Sequence, residues 1–208
     1  GGRPKEMLRT IARIVDHFAW KGTIGCGFPA AIRNGVALTA ANIDKSWIGV
    51  DINSRVRELT GCPCFTLNDA DAAATAMVAC GDAATVTGTV LVVTVGTGLG
   101  TALFHNGQLF PNTELGHVRL KGGDAEDYAS DRVRKELALS WKEWGKRLGA
   151  YLRMMEKLFW PELIIIGGGV SKYHEEYAPW LGTDTRVIAS AMKNEAGIIG
   201  AALAAARP

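Results

Sequence analysis

Residues 85–110 constrain the fold most. Thr85–Val95 is almost entirely β-branched or apolar, the loop Gly96-Thr97-Gly98-Leu99-Gly100 follows, and Thr101–Phe104 resumes the same pattern. Side chains branched at Cβ favour the pleated strand, and a continuous apolar run belongs to a strand covered on both faces. Asn106-Gly107 predicts a tight hairpin turn with Gln108-Leu109-Phe110 as the return strand. Leu163-Ile164-Ile165-Ile166 is a second buried strand, running into Gly167-Gly168-Gly169. Strands buried this way need helices to cover them.

The rest of the chain supplies those helices. Leu8, Ile11, Ile14/Val15 and Phe18 recur at helical spacing, and Val50–Thr60 and the alanine-rich Ala70–Cys80 predict two more helices. Gly22–Pro29 and Asn34–Leu38 predict short extended pieces around a turn. Cys64–Leu67 predicts a buried strand that ends at Asn68-Asp69, where α/β folds place their ligands. Tyr128–Trp160 predicts one long helix ended by Pro161, and Lys193–Ala206 a closing helix of small residues. Strands alternating with helices make an α/β fold. With no repeat or linker to divide it, the boundary between lobes is placed near residue 86, giving 1–86 and 87–208.

Bulk properties narrow the function classes. With 23 basic and 21 acidic residues the net charge is +2, so no strong field favours nucleic acid or a membrane surface. No apolar run reaches the length of a bilayer span. The first residues read as an amphipathic helix and not as a signal peptide. Four cysteines in 208 residues make no disulfide framework, and Cys62-Pro63-Cys64 lacks a second ligand pair. Structural thiols in a reducing, cytoplasmic setting are expected.

Four stretches carry chemistry. Asn68-Asp69 offers a carboxylate that can accept a hydroxyl proton, or alternatively a helix N-cap. Gly96–Gly100 offers backbone N–H groups to an anion, with hydroxyls at Thr97 and Thr101, or is a plain hairpin bend. It is not a Walker loop, because no Gly-Lys-Ser/Thr follows. Glu114-Leu115-Gly116-His117, with Glu126 beyond it, suits a polyhydroxylated ligand, since each hydroxyl both donates and accepts. Gly167-Gly168-Gly169 either covers a nucleotide or simply joins strand to helix.

Their order resembles that of the ROK sugar kinases, and within them the polyphosphate-using glucokinases. The resemblance runs from about Ile11 to the C-terminus. It is carried by Thr39–Trp47, Leu67-Asn68-Asp69-Ala70-Asp71-Ala72-Ala73, Gly96–Gly100, Pro111-Asn112-Thr113-Glu114-Leu115-Gly116-His117 and Ile166-Gly167-Gly168-Gly169-Val170-Ser171. It implies an actin/hexokinase-like (ribonuclease H-like) two-lobed fold. Asp69 is then the general base for the sugar 6-hydroxyl, with Asn42, Asn68, Glu114, His117 and Glu126 holding the sugar. Gly96, Thr97, Gly98 and Gly100 would bind donor phosphates, with Gly168 and Gly169 near the rest of the donor. The implied partners are glucose and ATP or polyphosphate with Mg²⁺. A homodimer is allowed.

Three departures qualify the resemblance. Val118–Ala125 has no cysteine where many ROK proteins bind zinc, so no zinc or other resident metal is expected. Ala30 stands where the family usually has glycine. The family's first Asp-x-Gly-Gly-Thr loop is not found before Ile11, so a truncated N-terminal lobe is expected. The expected function is glucokinase activity with polyphosphate or ATP. The alternatives are an ATP-only kinase of a hexose or N-acetylhexosamine, and an inactive sugar-binding remnant. A ROK transcriptional repressor is the less favoured reading, as no helix-turn-helix precedes the domain in this sequence and the chain is not basic. Lys45, Arg119, Lys121, Arg132, Arg134 and Lys135 are candidates for a polyphosphate track or simply solvated charges.

Overall fold

The chain starts with helix α1 (Pro4–His17), whose proline lies in the first turn, where a missing N–H costs nothing. The structure, a computed structural model, describes residues 2–41, 43–81, 83–192 and 195–206. Strand β1 (Ile24–Phe28) is followed by a hairpin of β2 (Ile32–Arg33) and β3 (Val36–Ala37). Asn34 and Gly35 turn it at φ 52° and 81°, as Asn-Gly turns require. Helix α2 (Ile52–Thr60) is capped by Asp51, which accepts from the Ser54 N–H at 2.9 Å, and ends at Gly61. Strand β4 (Cys64–Asn68) pairs parallel to β1 with Asn68 opposite Phe28, and α3 (Asp69–Cys80) starts on the next residue. Leu8, Phe28, Trp47, Ile52 and Val56 form the core of this part.

The second part is built on a five-stranded sheet. Strands β5 (Thr89–Val95), β6 (Leu99–His105) and β7 (Gln108–Phe110) run antiparallel, turned at Asn106-Gly107 as expected. The first strand starts at Thr89 and not Thr85, because Gly88 takes φ 90° and its amide donates to Asn106 Oδ1 at 2.7 Å. A small hairpin, β8 (Arg119–Leu120) with β9 (Gly123–Asp124), precedes helix α4 (Glu126–Ala129). Helices α5 (Asp131–Glu136) and α6 (Trp141–Phe159) follow, then β10 (Leu163–Gly167), α7 (His174–Tyr177), β11 (Val187–Ala189) and α8 (Ala196–Ala205). The sheet order is β11-β10-β5-β6-β7, with β10 parallel to both β5 and β11. Leu91, Val93, Trp144, Leu148, Tyr151, Ile164 and Ile166 pack its core.

One long helix over 128–160 is therefore corrected to three. Ser130 is extended (ψ 161°) and caps α5, Ala138 takes φ 48°, and Ser140 opens α6 in a capping box with Glu143. A serine side chain that can bond the backbone N–H groups after it competes with helix continuation.

The chain divides into two compact units, Gly1–Ala76 with Glu195–Pro208, and Met77–Asn194. The crossing lies inside α3, ten residues before the expected boundary, and α8 belongs to the first unit instead of the second. Backbone contact explains the return of α8. A Cβ on Gly200 would lie 1.6 Å from the Ala72 carbonyl oxygen, and one on Gly25 2.1 Å from that of Ala201. Only glycine permits α8 to approach α3 and β1 so closely.

Candidate active site

In the first unit, the register of β1 and β4 sets Asn68-Asp69 at the strand end. Asn68 Oδ1 accepts from the amides of Ala70 and Asp71 at 2.8 and 3.2 Å, so it is the N-cap of α3. Its amide nitrogen donates to the Ala30 carbonyl at 3.2 Å. Asn68 takes the cap, and Asp71 is buried within the helix. Asp69 remains exposed; its Oδ1 accepts from the Ala70 amide at 2.9 Å, and its other oxygen accepts nothing from the described residues. Ala30 is buried in the core, and its carbonyl holds Asn68. Asn42 lies outside the described residues.

In the second unit, β5 and β6 are joined by the glycine loop, with Val95 opposite Leu99. The Gly96 amide donates to the Gly98 carbonyl at 3.1 Å, and the Leu99 amide to Glu126 Oε2 at 3.3 Å. The amides of Thr97 and Gly98 form no hydrogen bond with the described residues. The loop carbonyls are tied down: the Arg132 amide donates to Gly96 O at 3.2 Å and its guanidinium to Thr97 O at 3.3 Å. A Cβ on Gly98 would stand 2.4 Å from Glu126 Oε2, whereas one on Gly96 meets nothing within 4 Å. The structure therefore brings Glu126 to the loop. Gly100 lies on β6, paired with Thr94.

Glu114 precedes a short 3-10 turn, Leu115–His117, that ends on His117. That turn is pressed on β6, since a Cβ on Gly116 would lie 2.3 Å from the Leu99 carbonyl oxygen. Thr101 fastens it. Its buried hydroxyl donates to the Thr113 carbonyl and accepts from the Leu115 amide at 3.1 Å, gripping the residues on either side of Glu114. The Thr101 hydroxyl is thus structural and not a phosphate donor. His117 Nε2 lies 3.9 Å from Glu114 Oε2, and its Nδ1 lies 3.1 Å from Asp124 Oδ2. Sequence reasoning missed Asp124, and only the Lys121-Gly122 turn pair hinted that the chain doubles back there.

Several other expected features meet partners within the protein itself. Gly168 has φ 83°, and a Cβ there would lie 2.4 Å from the Val95 carbonyl oxygen, so packing alone demands glycine. Gly169 faces open space. Three cations of the candidate polyphosphate track are paired: Arg132 with Asp127 and Glu136, Arg134 with Asp131 and over the Trp141 ring, and Lys135 with Asp131. Arg119 lies 3.6 Å from Asp124. Burial, followed by the neighbouring Cys64, pushes the Cys26 thiol up to about 11, and burial likewise raises Cys64. These are protonated, unreactive thiols. Among the described residues no group of three or more His, Cys, Asp or Glu is placed to hold a metal, and no helix is long and apolar enough to cross a membrane.

The ROK family model matches residues 2–136. A polyphosphate glucokinase of Mycobacterium tuberculosis is 41% identical over 202 residues, spanning 97% of this chain and 76% of that protein. The crystal structure of an inorganic polyphosphate/ATP-glucomannokinase from Arthrobacter sp. strain KM matches with a TM-score of 0.90 at 42% identity, covering 98% of this chain and 83% of that one. A ROK family glucokinase from Streptomyces griseus, solved with glucose and AMPPNP, shares the fold at a TM-score of 0.81 and 23% identity, over 99% and 89% of the two chains.

Proposed function

The chain belongs to the ROK family, and from that premise we propose that it is a glucokinase, transferring a phosphoryl group from polyphosphate or ATP to the 6-hydroxyl of glucose. The observation that carries this reading, beside the relatives, is the Leu99–Glu126 hydrogen bond. It joins a carboxylate suited to sugar hydroxyls to a loop suited to phosphate.

Asp69 accepts the proton of the 6-hydroxyl as that oxygen attacks the terminal phosphorus of the donor. Glu114, His117 and Glu126 hold the other hydroxyls, assisted by Asn42 and by the remaining N–H of Asn68. Thr97 and Gly98 offer adjacent amides to donor phosphate oxygens, as backbone nests do, with Gly96 and Gly100 leaving the backbone uncovered. Gly168 and Gly169 lie near the rest of the donor. Mg²⁺ commonly binds through substrate phosphates and one or two carboxylates. It accompanies the donor, and no step is assigned to a metal held by the protein. We read the reaction as cytoplasmic. The homodimer is tested by light scattering of the same sample.

The deciding measurement is glucose 6-phosphate formation by the 208-residue chain with glucose and each donor in turn. Product with polyphosphate supports the proposal, and product with ATP alone selects an ATP-only kinase. Binding of glucose without product from either donor rejects the kinase reading in favour of a sugar-binding protein.

A further inference from the structure

The β8–β9 hairpin returns the chain onto His117. Lys121 and Gly122 turn it at φ 55° and 91°, and the register sets Arg119 opposite Asp124. Arg119 donates to the Gly122 carbonyl at 2.8 Å and approaches Asp124 Oδ1 at 3.6 Å, while Asp124 Oδ2 lies 3.1 Å from His117 Nδ1. One carboxylate oxygen is thereby held toward arginine and the other toward the imidazole.

An ionised carboxylate only accepts hydrogen bonds, so the proton at this contact must sit on Nδ1. In a neutral ring that leaves Nε2 with its lone pair exposed. Nε2 is 3.9 Å from Glu114 Oε2, so two acceptors stand side by side, facing what neighbouring sugar hydroxyls donate. In the other tautomer an Nε2–H would point a donor toward Glu114, and the imidazole would be lost as an acceptor. We propose that Asp124 is a positioning residue that holds His117 as the Nδ1–H tautomer, so that Nε2 accepts from a sugar hydroxyl. The sugar half of this statement rests on the proposed glucokinase function, but the tautomer half does not.

The test combines long-range ¹H–¹⁵N correlation of the imidazoles in the full chain with glucose kinetics. Spectra are recorded above the ordinary imidazole titration range, and His117→Gln serves only to assign the His117 signals. The expected wild-type pattern is a protonated Nδ1, changing to protonated Nε2 in Asp124→Ala. Asp124→Asn is isosteric and its Oδ1 can still accept from Nδ1–H, so it should keep the wild-type tautomer and controls for packing. In Asp124→Ala, KM for glucose should rise about ten-fold with kcat changed less than about three-fold, and Asp124→Glu should restore part of the loss. A wild-type ring protonated on Nε2, or a pattern that Asp124→Ala leaves unchanged, overturns the proposal. A tautomer that changes without raising KM overturns its sugar half. If the wild type makes no glucose 6-phosphate, the glucokinase reading fails on its own and the spectra still decide what Asp124 does.

Discussion

The Leu99 amide donates to the Glu126 carboxylate at 3.3 Å, at the root of the glycine loop. Gly98 leaves the room for it, since a Cβ there would lie 2.4 Å from the same oxygen. Gly98→Ala should displace the Glu126 side chain, which is flexible enough to move at little cost in folding. Loss of one charge-assisted hydrogen bond, about 1.5 kcal/mol, corresponds to a roughly ten-fold rise in KM for glucose. Gly96→Ala, with open space at its Cβ, should leave melting temperature and glucose KM unchanged. Steady-state kinetics and thermal melts of the two variants check the contrast.

Asp69 is exposed at the start of α3, with one carboxylate oxygen committed to the Ala70 amide. Asp69→Asn should lower kcat by about 10²–10⁴ while glucose affinity stays within a few-fold. Calorimetric titration with glucose beside a coupled kinase assay separates the two quantities. An active Asn variant removes Asp69 as the base.

Thr101 has its buried hydroxyl between Thr113 and Leu115. Thr101→Val keeps the shape and leaves the Leu115 amide unpaired, a loss of about 1–3 kcal/mol. At roughly 2–4 °C per kcal/mol for a chain of this size, melting should fall by several degrees. Thr101→Ser should retain most of the stability, as followed by calorimetry.

Burial raises the Asp131 carboxyl, but hydrogen bonds from Lys135 and Arg134 outweigh it and hold the group below its ordinary value of 3.8. A carboxyl depressed in the folded state adds stability above its unfolded value and loses it as pH falls through the folded one. Asp131→Asn should therefore cost about 1 kcal/mol near neutral pH, a modest figure because Lys135 is largely exposed. The difference from wild type should close as pH drops below 3.8. Melting curves across that range measure it.

Gly200→Ala should be the most damaging glycine substitution in α8, because its Cβ would meet the Ala72 carbonyl at 1.6 Å. A loss of about 3 kcal/mol is expected. Gly197→Ala meets nothing within 4 Å and should be neutral or stabilising by up to about 1 kcal/mol. Urea titration of both variants distinguishes close packing from helix propensity.

Much of this molecule is local and was therefore legible. The β-branched run before Gly96, the Asn106-Gly107 turn and the Leu163–Ile166 strand follow from backbone preference and burial pattern, which neighbouring residues dictate. The motifs resembling ROK kinases were equally readable, as was the competition between cap and base at Asn68-Asp69. The breaks at Ser130 and Ser140 were written locally too, but the apolar periodicity running through them masked the caps. Tertiary structure alone decided that Asn68 caps and Asp69 does not, that Arg132 holds the glycine loop, and that α8 returns to the first unit. It also decided that Asp124 meets His117. Each of these depends on a partner set by a turn, a register or a glycine-to-backbone contact, and the free energy of such a contact belongs to the assembled geometry and not to either residue alone.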